Sequence, residues 1–266
     1  MRAYRNPLVV AFAVILLCSA LFVKGFKSAV KKVEPKEETA VVLDEEKLEK
    51  QKNASLTTPQ QEQLKQLLEQ EDFLSVAVLY DSLKIGSMAG KYYFKAAEAK
   101  PTAVVWKKAG DSYLNAARQS TDSLYVVFAV DRAKKAYFGS LKIDDSNAEV
   151  KNSLALCMAQ GGTEVMQAVT LLKEVLAADS NNVQAIYTLG MLSIQSGQYD
   201  KAVERFEKLR QLEPMNSEYY YYLADIYSQL GQKDKAVKAL EVCKTLTTSE
   251  EARKNIDELI KDIKNN

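Results

Sequence analysis

Between residues 183 and 248 the apolar and small positions repeat themselves at an offset of 34. Ile186, Leu189, Gly190, Gly197, Ala202, Phe206 and Leu209 fall in register with Tyr220, Leu223, Ala224, Gly231, Ala236, Leu240 and Cys243. Within each copy the apolar residues recur at helical spacing, and a glycine marks the turn between two predicted helices. So short a helix pair cannot bury its apolar face alone. The fixed period therefore predicts a stack of units sharing one core.

Moving N-terminally by the same offset extends the array. Residues 149–182 place Ala155, Leu156, Ala168, Leu172 and Val175 at core positions, with Gly161-Gly162 at the turn and Asn152 where the other units carry an aromatic. Residues 103–148 open with Trp106, Ala109, Gly110 and Tyr113, but Ala133 and Tyr137 arrive late, leaving 12 inserted residues around 119–130. Residues 70–102 carry Phe73, Val76, Ala77, Tyr80, Ala89, Tyr93, Ala96 and Pro101 in register. Residues 59–69 read as a lone helix. Residues 251–266 read as a capping helix with Ile256, Leu259, Ile260 and Ile263 as its apolar stripe.

These residues resemble the tetratricopeptide repeat pattern, W-x2-L-G-x2-Y followed by Ala, Phe, Ala and Pro, over about 180 residues. The units at 183–216 and 217–250 match it best. The resemblance implies an all-α, right-handed superhelical solenoid of five units whose concave side is lined by the first helix of each. It also implies which residues face that groove: Gln184, Tyr187, Met191, Ile194 and Gln195 in one unit, and Glu218, Tyr221, Asp225, Ser228 and Gln229 in the next. In the unit at 149 the same positions hold Val150, Ser153, Cys157 and Gln160. Such a lining suits an extended or helical peptide. Some members of the family grip a terminal carboxylate with Lys and Asn. Lys107 stands at the expected place here, but Asp111 stands where Asn is required.

Two further features lie outside the repeat pattern. Tyr219, Tyr220, Tyr221 and Tyr222 point in four helical directions, so at most two are expected in the core, and the rest offer an interface. The insertion holds seven uncharged residues at 124–130. Leu124, Tyr125, Val127 and Phe128 are read either as longer packed helices or as a docking ridge.

Composition narrows the chemistry. Lys and Arg total 36 against 35 for Asp and Glu, so no basic field attracts nucleic acid. Histidine is absent, which removes the imidazole base and the commonest nitrogen ligand for transition metals. Cys18, Cys157 and Cys243 show no CxxC spacing, and the last two fall at small-residue helix positions. The run Gly86-Ser87-Met88-Ala89-Gly90-Lys91 is one residue short of a phosphate loop and ends in Tyr92. No cofactor and no metal are expected, and the chain does not read as an enzyme.

Residues 7–23 form 17 consecutive uncharged positions behind a short basic tail, 1–6. That length is at the lower edge of the roughly 17–25 residues that span a bilayer. An uncleaved anchor, a cleaved signal peptide ending near Ala20 and a lipoprotein signal at Cys18 all compete for it. The anchor uses the whole run. It implies a single-pass inner-membrane protein with periplasmic repeats, the cytoplasmic face being the alternative orientation. Residues 24–58 read as a charged linker. In style the chain resembles membrane-tethered repeat proteins of Bacteroidota envelopes. The expectation is a noncatalytic adaptor that binds proteins of a membrane or cell-envelope complex. A cleaved periplasmic form and a self-assembling homo-oligomer are the alternatives.

Overall fold

The computed structural model describes residues 43–161 and 164–265, which belong to one compact unit. Among them are thirteen helices. α1 (Glu45–Asn53) and α2 (Thr58–Glu69) come first. Five antiparallel pairs follow: α3 (Phe73–Ser82) with α4 (Gly86–Ala99), α5 (Ala103–Gln119) with α6 (Ser123–Leu141), and α7 (Ala148–Gly161) with α8 (Val165–Ala178). The last two pairs are α9 (Val183–Gln195) with α10 (Tyr199–Leu212) and α11 (Ser217–Gln229) with α12 (Lys233–Leu246). α13 (Glu250–Asn265) closes the stack. The described chain is an all-α solenoid.

Each pair begins the same way. Asp72, Thr102, Asn147, Asn182 and Asn216 accept a backbone N–H of the first turn that follows them, at 3.0–3.2 Å. That cap starts the first helix where the chain crosses between units. Within a pair, Gly197 and Gly231 adopt φ of 69° and 70° and end the first helix with a left-handed residue. The next amides, of Gln198 and Gln232, reach back to the carbonyls of Ser193 and Tyr227 at 2.8 Å. Lys84 takes the same conformation in the first pair, at φ 57°, with the Ile85 amide 2.9 Å from the Tyr80 carbonyl.

The core runs through all five pairs, and aromatic rings carry much of it. Tyr80, Tyr93, Tyr137 and Phe206 are fully buried. Small residues make room for these rings. A Cβ on Gly190 would stand 2.9 Å from the Phe206 ring, and one on Gly110 would stand 2.5 Å from that of Tyr137. Trp106 is likewise a packing residue, edge-on to Phe94 at 4.9 Å between ring centroids. Cys157 and Cys243 are buried, and burial pushes the Cys157 thiol up to about 12.

Several expectations are corrected here. Of the two readings of the insertion, the longer packed helices are what the structure has: α5 runs to 17 residues and α6 to 19, against 13 and 14 in α9 and α10. Of the tyrosine run, three are buried rather than two: Tyr219, Tyr220 and Tyr222. The reason is that α11 is packed on several sides at once. Its residues share one cluster with Phe206 and Leu209 of α10, Ala236 and Leu240 of α12, and Ile256 of α13. The near-phosphate-loop run lies inside α4, as helix. Within 24–58, read as a linker, residues 45–53 are the helix α1. Its carboxylates are matched by Lys91 and Arg132, far away in sequence.

The expected localisation is overturned. Among the described residues no helix is long and apolar enough to cross a membrane, so a single-pass inner-membrane protein with periplasmic repeats has no support in this structure. The segment 7–23 on which that expectation rested lies outside the described residues, as do Cys18 and Gly162.

Candidate functional site

The first helix of each pair turns its core stripe toward the second and leaves its other side to a shared surface. Across α5, α7 and α9 this surface sinks into a groove of about 810 Å³. Asn115 and Arg118 line it from α5, Asn152 and Ser153 from α7, and Asn182 and Gln184 from the start of α9. The extra turn of α5 is what brings Arg118 to the groove. Amides and hydroxyls at the rim of a concavity offer donors and acceptors to a partner's backbone as well as to water.

The α5 side of the groove is an internally satisfied network. The Tyr137 hydroxyl donates to Asp111 Oδ1 at 2.9 Å. Lys107 Nζ lies 2.7 Å from Asp111 Oδ2 and 2.8 Å from Glu149 Oε1. Burial alone would lower the Lys107 pKa, but the two carboxylates outweigh it and raise it. Lys107 is thus fully engaged within the protein, and a terminal carboxylate would have to displace two ion pairs to reach it.

Asn152 is different. Its side chain is buried, and Nδ2 donates to Asn182 Oδ1 at 3.0 Å. Asn182 Oδ1 also accepts the Ala185 amide at 3.0 Å, which fixes Asn182 as the acceptor and Asn152 as the donor. The remaining Asn152 oxygen has no hydrogen-bond partner among the described residues. A buried acceptor left unpaired is costly, and this oxygen is itself shielded from the surface. Arg118, exposed at the same groove, has no acidic partner among the described residues.

The residues singled out from sequence fall mostly elsewhere. Gln184 lines the groove. Tyr187 is half-buried, donates to Glu218 Oε1 at 2.8 Å, and lies 3.3 Å from the Tyr222 hydroxyl. Its ring meets Phe206 edge-on at 6.0 Å. Burial, with Tyr222 and Glu218 adding to it, drives its hydroxyl pKa upward. Met191 and Ile194 pack against the same cluster, while Gln195, Ser228 and Gln229 are exposed. Tyr221 is half-buried, edge-on to Tyr222. Asp225 is exposed, yet the protein around it raises its carboxyl pKa by partial desolvation. In α6, Tyr125 is buried, Leu124 and Phe128 are half-buried, and only Val127, 71% exposed, faces outward.

Sequence reasoning passed over Asn115, Arg118, Asn152 and Asn182. Asn152 looked like a gap in the aromatic pattern. The usable signal was a polar residue at a core position, because a polar side chain there must be satisfied by something.

Comparison with known proteins gives the following. A family profile described as "Regulator of microtubule dynamics protein 1-3" matches residues 183–264, under a third of the chain. FK506-binding protein 59 of Drosophila melanogaster is 37% identical over 78 residues, 27% of this chain and 18% of that protein. A crystal structure of MamA superposes with a TM-score of 0.55 at 21% identity, over 64% of this chain and 94% of that one. A crystal structure of YrrB, described as a TPR protein with an unusual peptide-binding site, gives 0.54 at 18% identity, over 73% and 96%. At such identities the likeness to the solved structures concerns the fold.

Proposed function

We infer that this chain, whose fold is that of the tetratricopeptide repeat proteins, is a noncatalytic adaptor that holds a segment of a partner protein across α5, α7 and α9. The observation that carries this reading is a groove of about 810 Å³ lined by amides and hydroxyls, in which the exposed Arg118 has no acidic partner among the described residues. An extended segment presents backbone N–H and C=O groups at regular spacing, which Asn115, Ser153 and Gln184 at the groove can meet. An acidic side chain of the same segment would meet Arg118. The peptide-binding site named for YrrB lends support by analogy of fold. The self-assembly alternative is weakened, because the tyrosine cluster offered for it is largely packed inside.

The test is affinity capture from the native host with the wild-type chain and with Arg118→Glu, whose side chain is exposed, the variant's helicity being checked by circular dichroism. A partner retained by the wild type and lost by the variant supports the reading. Equal capture by both moves the partner off this groove.

A further inference from the structure

A second surface lies on the other helices of the first two pairs. α4 and α6 present Lys91, Tyr92, Phe94, Lys95, Phe128 and Arg132, a face of cations laid over rings. The Arg132 guanidinium sits 5.4 Å from the Phe94 centroid and 5.3 Å from that of Phe128. Lys95 Nζ lies 5.2 Å from the Tyr92 ring. Glu98 is the acidic residue at its edge. Such a face suits a segment that combines carboxylates with an aliphatic side chain.

Helix α1 lies on this face. Its inward positions are Glu45, Leu48, Glu49 and Asn53, spaced as one helical stripe. Glu45 pairs with Arg132 at 3.0 Å. Glu49 meets Lys91 Nζ at 2.7 Å and accepts the Tyr92 hydroxyl at 2.5 Å. The Tyr80 hydroxyl donates to Asn53 Oδ1 at 2.6 Å. Leu48, itself partly buried, packs against the buried core of the array. Yet no residue of α1 is itself buried, and a notch of about 300 Å³ stays open between it, Phe94 and Arg132. The Glu45–Arg132 pair is about a third exposed and the Glu49–Lys91 pair less than a fifth, so polar contacts more than buried apolar area hold this helix, unlike the packed helices beyond it.

We propose that this α4–α6 face is a docking site for an acidic helical segment of a partner protein, patterned Glu-x-x-Leu-Glu, and that α1 is its displaceable resident. The resident helix shows the complementarity directly: two carboxylates one turn apart on two cations, with a leucine between them. Tethering gives α1 an effective concentration of roughly millimolar, so it excludes weak competitors and yields to a segment that also fills the notch. This surface is separate from the groove across α5, α7 and α9, so either reading can fail without the other.

The probe is a labelled synthetic peptide of residues 43–55, read by fluorescence anisotropy against the full-length chain. Glu45→Ala with Glu49→Ala, which loosens α1 in place, is expected to bind it at least tenfold tighter than the wild type does. Adding Lys91→Glu and Arg132→Glu is expected to abolish that binding. Equal affinity for wild type and loosened chain, no binding to either, or indifference to the Lys91 and Arg132 changes overturns the proposal. Hydrogen exchange on the unaltered chain is a second check that needs no variant. Amides of 45–53 exchanging far faster than those of α4 and α6 fit a displaceable helix; equal protection does not.

Discussion

Lys84 occupies, at φ 57°, the turn position that Gly197 fills at φ 69°. Both end a first helix, and both let the next amide reach the carbonyl five residues back. For a residue with a Cβ this conformation costs about 1–2 kcal/mol, whereas glycine adopts it freely. Lys84 is exposed and makes no side-chain bond that its loss would break among the described residues. Lys84→Gly should therefore stabilise the chain by about 0.5–1 kcal/mol after glycine's greater unfolded-state freedom is subtracted. The reverse change, Gly197→Lys, should destabilise by a similar amount. Thermal denaturation of both variants checks the pair.

Gly190 and Phe206 form a second matched pair. A methyl at Gly190 would stand 2.9 Å from a ring carbon of the fully buried Phe206, with no flexible side-chain end to give way. Gly190→Ala should cost about 1–3 kcal/mol by overpacking. In the next unit the same two positions hold Ala224 and Leu240. Gly190→Ala combined with Phe206→Leu should therefore recover part of the loss. A double-mutant cycle in urea measures that coupling.

The docking of α1 should depend on acid. Burial by itself would raise the Glu49 carboxyl, but Lys91 and Tyr92 outweigh it and hold it below the ordinary carboxylate value. A group whose pKa is depressed in the folded state contributes stability above its unfolded pKa, and that contribution disappears as pH falls through the folded one. The attachment should thus be intact at neutral pH and lost on acidification below the normal carboxylate range. Protection of amides 45–53, followed from pH 7 downward, reads this, and Glu49→Gln should show the acid behaviour already at pH 7.

Tyr187 was the most prominent groove residue in the sequence, and the structure gives it a supporting role. It joins α9 to α11 through Glu218 and meets the rings of Phe206 and Tyr222. Tyr187→Ala should cost about 3–5 kcal/mol, as removal of a largely buried ring does. Tyr187→Phe, which keeps the ring, should cost about 1 kcal/mol. Any loss of binding in the alanine variant would then reflect damage to the pair, which the phenylalanine variant exposes by binding normally.

Much of the solenoid was legible because its core positions have a narrow vocabulary. A small residue such as Gly190 faces an aromatic such as Phe206, and the offset of 34 repeats the pattern. What stayed hidden depended on distant pairings. Helix α1 looks like a solvated tether because its carboxylates find Lys91 and Arg132 only after folding. Arg118 reaches the groove because α5 is longer than its counterparts, a consequence of where the inserted residues went. Tyr219, Tyr220 and Tyr222 are all buried because neighbouring helices enclose α11 on more than one side, which a single-helix projection does not capture.

The central claim is that the groove across α5, α7 and α9 receives a partner's extended segment. The most direct test is selection of a random peptide library on the full-length chain, counter-selected on Arg118→Glu and on Asn115→Ala, both exposed in the groove. Enriched peptides should carry an acidic residue at a fixed position, and their binding should weaken at least tenfold with Arg118→Glu and also fall with Asn115→Ala. No enrichment, or enriched peptides that bind both variants as well as the wild type, would contradict it.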